Sequence, residues 1–417
     1  MPALLAPPLS LYVHFPWCVR KCPYCDFNSY TLQGDLAAAP YVARLVRDIE
    51  ALSGEVAGRE IVSIFFGGGT PSLFSPDSIA QVLAAARRHL IPGALAEVTL
   101  EANPGAIERG AFGEYRAAGV TRVSLGAQSF SPEALAALGR IHSPGETRRA
   151  AEELHAAGLD NFNLDLMYAL PGQSRASAAQ DIAEALALSP AHLSHYQLTL
   201  EPGTIFAARP PPLPDEDEAA AMLEDCSARL AVGGFPRYEV SAYAKPGRQC
   251  RHNLNYWRFG DYLGVGAGAH GKLTYPERAA IVRTVQPREP RRYLAATAGE
   301  LTRRPVEPQE LPFEFMLNAL RLTGGFSIRD FTERTGLEPE AIARPLARLS
   351  TRGLIENTPE GSRATDLGMR FLNDLLLEFM PERAEMPGAF ALSIGPNGPP
   401  RQSPGSLFTG ASGSNGE

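Results

Sequence analysis

No stretch of this chain reaches the roughly eighteen consecutive apolar residues that a membrane helix needs. The first residues, MPALLAPPLS, lack the basic region and long apolar stretch of a secretion signal, so we expect a cytoplasmic protein. Cysteine is scarce: five residues, an odd number without scaffold spacing, which excludes a disulfide framework and suits metal or redox chemistry in a reducing compartment. A basic excess is also missing, and a net charge of -7 argues against general nucleic-acid binding. No dinucleotide fingerprint follows the first strand-like segment, and no Gly-Lys-Ser/Thr follows the glycine-rich one. A Rossmann cofactor site and a P-loop are thereby set aside.

What is present is enough for a large core. The chain has 417 residues, 44% of them hydrophobic, and should form one large domain plus at least one small one. Between Leu9 and Leu200 the strand-like segments LSLYVHF, IVSIFFGG, EVTLEAN, RVSLGAQS, NFNLDLMY and HLSHYQLTL alternate with helix-period stretches such as YVARLVRDIEAL and GETRRAAEELHAAGL. Such alternation predicts an α/β fold with a parallel sheet, and over this length a full or partial (β/α) barrel. Cys18 to Cys25, Gly67 to Thr70, Glu101, Gln128 and Asp165 fall at or just after the C-terminal ends of successive strands. That end of a parallel barrel is where active sites are built.

Three of the five cysteines, Cys18, Cys22 and Cys25, are spaced C-x3-C-x2-C in the loop after the first strand. Structural zinc takes four ligands, usually from two paired knuckles, and no second knuckle exists here. His14 could complete a zinc site but precedes Cys18 on the predicted strand. Three thiolates suit a four-iron cluster with one iron left for a small molecule, which we place ahead of zinc. After the second strand, FFGGGTPSLF puts three glycines in a row, so backbone can approach a ligand closely.

The C-x3-C-x2-C loop, with Tyr24 before its last cysteine, resembles that of the radical S-adenosylmethionine superfamily. The resemblance implies a 4Fe-4S cluster on Cys18, Cys22 and Cys25, with S-adenosylmethionine on the open iron, cleaved by one electron to a 5'-deoxyadenosyl radical. More specifically, LYVHFPWC, GGGTPS, LEANP, GAQSF, GRIHS and NLDLMYALPGQ resemble the oxygen-independent coproporphyrinogen III oxidase family over roughly residues 10 to 270. That family's cofactor contacts fall on Tyr12, Tyr24, Gly68, Gly69, Thr70, Glu101, Gln128, Arg140, Asp165 and Thr199. Two departures point to the family's heme chaperone branch: Phe27 stands where the oxidase has a fourth cysteine, and only seventeen residues precede Cys18. Members of that branch are thought to bind heme and pass it on. The resemblance therefore implies heme, a heme-acceptor protein and an electron donor as partners, with the oxidase reaction as the alternative.

The segment CRHNLNYWRFGDYLGVGAGAHGK also resembles that branch. It suggests heme contacts at His252, Asn253, Tyr256 and Trp257, with Cys250 as a thiolate alternative and His270 as a weaker candidate. From the residues alone, a histidine in a Gly-rich loop is structure and Tyr-Trp is core. Residues 311 to 380 read as three short helices and a hairpin, a winged-helix-like α+β domain. Arg344, Arg348 and Arg352 recur at helical spacing there, but interleaved acids favour a solvated or docking face over DNA contact. We thus expect a radical SAM partial barrel over 1–240, a family-specific extension over 241–310, the winged-helix-like domain over 311–380 and a disordered tail over 381–417, where seven Gly, six Pro and five Ser occur. The sequence carries no signal for or against a homodimer.

Overall fold

The computed structural model describes residues 2–105, 112–381, 390–393 and 401–404. Six strands build its centre: β1 (Leu9–Phe15), β2 (Glu60–Gly68), β3 (Ile91–Ala102), β4 (Arg122–Gln128), β5 (Phe162–Tyr168) and β6 (His192–Gln197). They pair in sequence order, every one parallel to the next. Helices α1 (Ala38–Leu52), α2 (Pro76–His89), α3 (Phe112–Ala118), α4 (Pro144–Ala156) and α5 (Arg175–Ala187) follow the strands. Serine caps start three of them, Ser75, Ser143 and Ser174, each accepting a backbone N–H three residues on.

The strand period of two divides the residues between two faces. Leu9, Leu11, Val13 and Phe15 of β1, Val123, Leu125 and Ala127 of β4, and Leu164 and Leu166 of β5 join the helices in one continuous core. The opposite face carries Ser10, Tyr12 and His14, then Arg122, Ser124, Gly126 and Gln128, then Asn163, Asp165 and Met167. Such a distribution makes the outer layer apolar and the concave interior polar.

The sheet runs on past both ends of this set. Next to β6 lie β7 (Arg237–Glu239) and β8 (Ala242–Ala244), with β8 antiparallel to β6. Beside β1 lies β9 (Asp261–Val265), parallel to it, followed by an antiparallel meander of β10 (His270–Tyr275), β11 (Ala280–Val285) and β12 (Thr302–Pro305). The twelve strands are ordered β12-β11-β10-β9-β1-β2-β3-β4-β5-β6-β8-β7, so the barrel is partial. The segment GVGAGAH joins β9 to this meander. There Gly266 and Gly268 take φ of +101° and +74°, which turns the chain from β9 into β10.

A second apolar core gathers Leu311, Phe315, Phe326, Phe331, Ile342, Leu349 and Leu375. Helices Leu311–Ala319, Ile328–Thr335 and Glu340–Thr351 pack there with a three-stranded sheet of Phe326–Ser327, Gly361–Ala364 and Ile355–Asn357. The three helices and the hairpin appear in the expected order, joined by a two-residue strand and two short helices, Asp366–Arg370 and Leu372–Leu377, that the sequence did not suggest. Arg348 and Arg352 both pair with Glu378, at 2.9 and 3.0 Å, and so form a solvated ion-pair network. Of the tail, Phe390–Ser393 and Arg401–Pro404 form an antiparallel ribbon, and the rest lies outside the described residues. Among the described residues no helix is long and apolar enough to cross a membrane.

Candidate cofactor site and the helix beneath it

At the C-terminal end of the barrel a cavity opens to solvent, with about 1300 Å³ of space when the solvent at its mouth is included. Cys18, Cys22, Tyr24, Cys25, Gly68, Gly69, Thr70, Glu101, Gln128, Arg140, Asp165 and Thr199 all line it, as do Phe27 and Asn253. All but Asn253 come from the six central strands and the loops that follow them, which supports reading them as one site.

The thiols are held by short local contacts. Lys21 Nζ donates to the carbonyls of Phe27 and Ser29, both at 3.0 Å, and closes the cysteine loop on itself. Burial pushes the Cys18 thiol up to about 11, against the Thr70 hydroxyl, and also raises Cys25, against Ser29. Metal binding would have to displace those protons. His14 is no fourth ligand: its Nε2 donates to the Asn28 carbonyl and its Nδ1 accepts from Tyr12 OH, both at 2.9 Å. Among the described residues no three His, Cys, Asp or Glu side chains converge as a single metal ion requires.

The glycine loop is fixed by contact from both sides. Gly68 has φ of +115°, and a Cβ there would lie 2.4 Å from the His14 ring. At Gly69 a Cβ would lie 2.5 Å from the Trp17 carbonyl oxygen. The run of glycines thus lets the loop seat directly against the strand that leads to Cys18. Gly68 N–H then donates to Glu101 Oε2 at 3.0 Å, and Asn103 Nδ2 to Thr70 Oγ1 at 3.0 Å.

Deeper in, Gln128 sits at φ of +66°, and its Oε1 accepts from Tyr196 OH at 2.8 Å. Asp165 accepts from Asn163 Nδ2 at 2.8 Å and from Ser124 Oγ at 3.2 Å; burial raises its pKa against those bonds. Arg140 donates to Asn103 Oδ1 at 2.6 Å and to the Gly126 carbonyl at 2.7 Å, with Cys22 Sγ at 3.9 Å. Much of its fork is therefore engaged within the protein. Thr199 is exposed at the rim and donates to Glu201 at 2.9 Å, while Tyr12 stands behind the lining, bonded to His14.

The HNLNYW segment is not a loop. It forms α6 (Arg251–Trp257), seven residues that close the interior at the other end of the strands. Cys250, His252, Tyr256 and Trp257 are each less than 5% exposed, out of a porphyrin's reach in this conformation, and Asn253 alone of the candidates reaches the cavity lining. His252 Nδ1 bonds Ser63 Oγ at 2.9 Å, and its ring stacks on Phe65 at 4.7 Å. His252 Nε2, Tyr256 OH and Trp257 Nε1 have no hydrogen-bond partner among the described residues. His270, half-buried, pairs across the meander with Val285.

Sequence reasoning missed the residues that hold this helix. Glu97 Oε1 accepts from Arg251 N–H at 3.0 Å, His252 N–H at 3.4 Å and the Cys250 thiol at 3.6 Å, and so caps α6 from β3. Arg122, Asn163 and Ser194 line the cavity floor. A usable signal existed, since stepping back by twos from Gln128 reaches Gly126, Ser124 and Arg122.

Residues 12–185 match the model of the Radical SAM superfamily, and residues 306–371 match that of the HemN C-terminal domain. The solved structure of coproporphyrinogen III oxidase (HemN) from Escherichia coli, described as a radical SAM enzyme, superposes with a TM-score of 0.75 over 90% of each chain, at 22% identity. An identity that low speaks for the fold alone. Fold and superfamily match together define a radical SAM protein, which implies a 4Fe-4S cluster and S-adenosylmethionine. Curated relatives narrow the class. Heme chaperone HemW of Escherichia coli (strain K12) is 47% identical over 376 residues, which is 90% of this chain and 99% of that one. HemW of Haemophilus influenzae is 44% identical over 92% of this chain and 100% of that one. The mouse mitochondrial radical S-adenosyl methionine domain-containing protein 1 is 34% identical over 90% and 88%. The chain belongs to the HemW heme chaperone family.

Proposed function

We propose that this protein binds heme and passes it to an acceptor protein in the cytoplasm, with a 4Fe-4S cluster on Cys18, Cys22 and Cys25 and S-adenosylmethionine in the adjoining cavity. The observation that carries the reading is the match to a heme chaperone along 99% of that protein's length. Three thiols, with no fourth protein ligand among the described residues, suit a cluster with one open iron, since His14 spends both ring nitrogens elsewhere. When bound, the pair supplies one-electron chemistry, for which an electron donor is needed.

The chain's own residues bind and orient. Glu101 and Asp165 accept from ribose hydroxyls, Gln128 accepts and donates, and the glycine backbone at Gly68 and Gly69 receives the amino group. Arg140 pairs with a carboxylate through what its fork has left. Tyr24 and Thr70 wall the thiols, with Thr199 at the rim and Tyr12 holding His14.

For heme we take α6 as the contact, with His252 the ligand and Cys250 its alternative. Three buried polar atoms without partners on one short helix are costly, and a bound ligand accounts for them. A bond to Nδ1, as Ser63 makes, is what orients metal-bound histidines. Reaching Nε2 requires Phe65 or α6 to move aside. Whether two copies act together is read by sedimentation of the cluster-loaded protein.

The test is anaerobic incubation of reconstituted protein with coproporphyrinogen III, S-adenosylmethionine and a reductant, alongside heme titration and transfer to a heme-free globin. We expect saturable one-to-one heme binding, transfer, and no vinyl-bearing porphyrin. Vinyl product without heme binding would overturn the chaperone reading in favour of the oxidase.

A further inference from the structure

Besides the exposed Arg20, two arginines line the cavity, and they are in opposite states. Arg140 bonds three partners, whereas Arg122 bonds none among the described residues. Arg122 is the first residue of β4 and faces inward, 2% exposed, in the floor of the cavity. A buried guanidinium without hydrogen bonds is expensive, and such a group persists where a ligand completes it.

Its two carboxylate neighbours are committed elsewhere. Glu97 caps α6, and Asp165 accepts from Asn163 and Ser124. Burial works against the Arg122 charge, but Cys250, Glu97, Tyr238 and Asp165 around it hold its pKa above the ordinary value. The Glu97 and Asp165 carboxylates offset the charge through space without bonding it, and the buried Nε–H has no acceptor among the described residues. Asn253 of α6 shares the floor and adds an amide, next to His252 in the chain.

We propose that Arg122 and Asn253 form a carboxylate-binding floor in the barrel, distinct from the cofactor contacts above it, and that its ligand is a propionate of heme. The second part rests on the heme chaperone reading. A propionate anchored at Arg122 places the macrocycle beside α6, the element that carries His252. The fork geometry of arginine suits a carboxylate in two bonds, which lysine cannot make.

The experiment titrates cluster-loaded wild type, Arg122→Gln and Arg122→Lys with heme and with heme dimethyl ester, and measures S-adenosylmethionine affinity on the same samples. We expect Arg122→Gln to bind heme about tenfold more weakly, Arg122→Lys to lie between, and the ester to bind wild type weakly and be indifferent to the substitution. S-adenosylmethionine affinity should stay. Equal binding of heme and ester by wild type, or no loss in Arg122→Gln, overturns the floor site and leaves the chaperone reading standing. Loss of S-adenosylmethionine in place of heme also overturns it. No heme binding by wild type overturns both. Should Arg122→Gln fail to fold, the ester comparison on wild type decides alone.

Discussion

The two ends of the partial barrel are built on different principles. At the C-terminal end, thiols, glycines and carboxylates stand on strands and the loops that follow them, around an open cavity that they line. At the other end α6 lies inside the strands, capped by Glu97 and pinned by Ser63, with its aromatic side chains buried and three polar atoms unpartnered. One end is ready for its ligands as it stands. The other is a plug that has a reason to open but is shut. On the proposed reading, the difference teaches that a motif can be functional and still look like core.

Substitutions at the plug test that contrast most severely. Glu97→Ala removes the cap of α6 and one of the charges balancing Arg122, and should cost about 4 kcal/mol in denaturant unfolding. A loss under about 1 kcal/mol would mean that α6 is held by packing alone.

The pH dependence comes next. Burial, then Arg122, depress the His252 pKa to about 3. A histidine whose folded pKa lies below its unfolded value binds fewer protons when native, so its stability share is full above pH 6.5 and is lost as pH falls towards 3. From pH 7 to 4 that share should fall by about 3 kcal/mol. The readout is the wild type minus His252→Gln difference, which cancels Asp181, whose pKa burial raises to about 6 with the opposite sign. A flat difference would show that His252 is solvated and the plug already open.

At the open end, Gly68→Ala forces a side chain to φ of +115° against the His14 ring. We expect about 2 kcal/mol lost in thermal unfolding and weaker S-adenosylmethionine binding, with heme binding kept. The smallest effect belongs to Ser63→Ala, which frees His252 Nδ1 and should cost about 1 kcal/mol while changing the spectrum of bound heme. An unchanged heme spectrum would separate His252 from the iron.

The open end was legible in the sequence for a physical reason. Cysteines at C-x3-C-x2-C spacing, glycines in a row and carboxylates at strand ends have little structural purpose, so their pattern stands out. The six central strands were legible too, as apolar runs set between helix-period stretches: LSLYVHF is β1 to the residue, although β3 starts at Ile91, six residues before the segment EVTLEAN. The plug was not. His252 read as part of a loop because Gly260, Gly264 and Gly266 follow closely, while Tyr256 and Trp257 read as core, which they are; the seven-residue helix they share owes its stability to Glu97, 154 residues before Arg251. Arg122 was overlooked because at the start of a strand it looks like a surface charge, although counting back by twos from Gln128 along β4 puts it on that residue's face. The meander after β9 was hidden in the same way, by glycines that turn the chain.

The most direct measurement is a paired loss experiment on cluster-reconstituted protein, with S-adenosylmethionine affinity by calorimetry and heme binding by the Soret band, for wild type, Cys18→Ala and His252→Ala. If the two ends do separate work, Cys18→Ala loses the cluster and S-adenosylmethionine but keeps one-to-one heme, and His252→Ala does the reverse. Heme binding unchanged in His252→Ala, or both ligands lost together in either variant, would contradict the account.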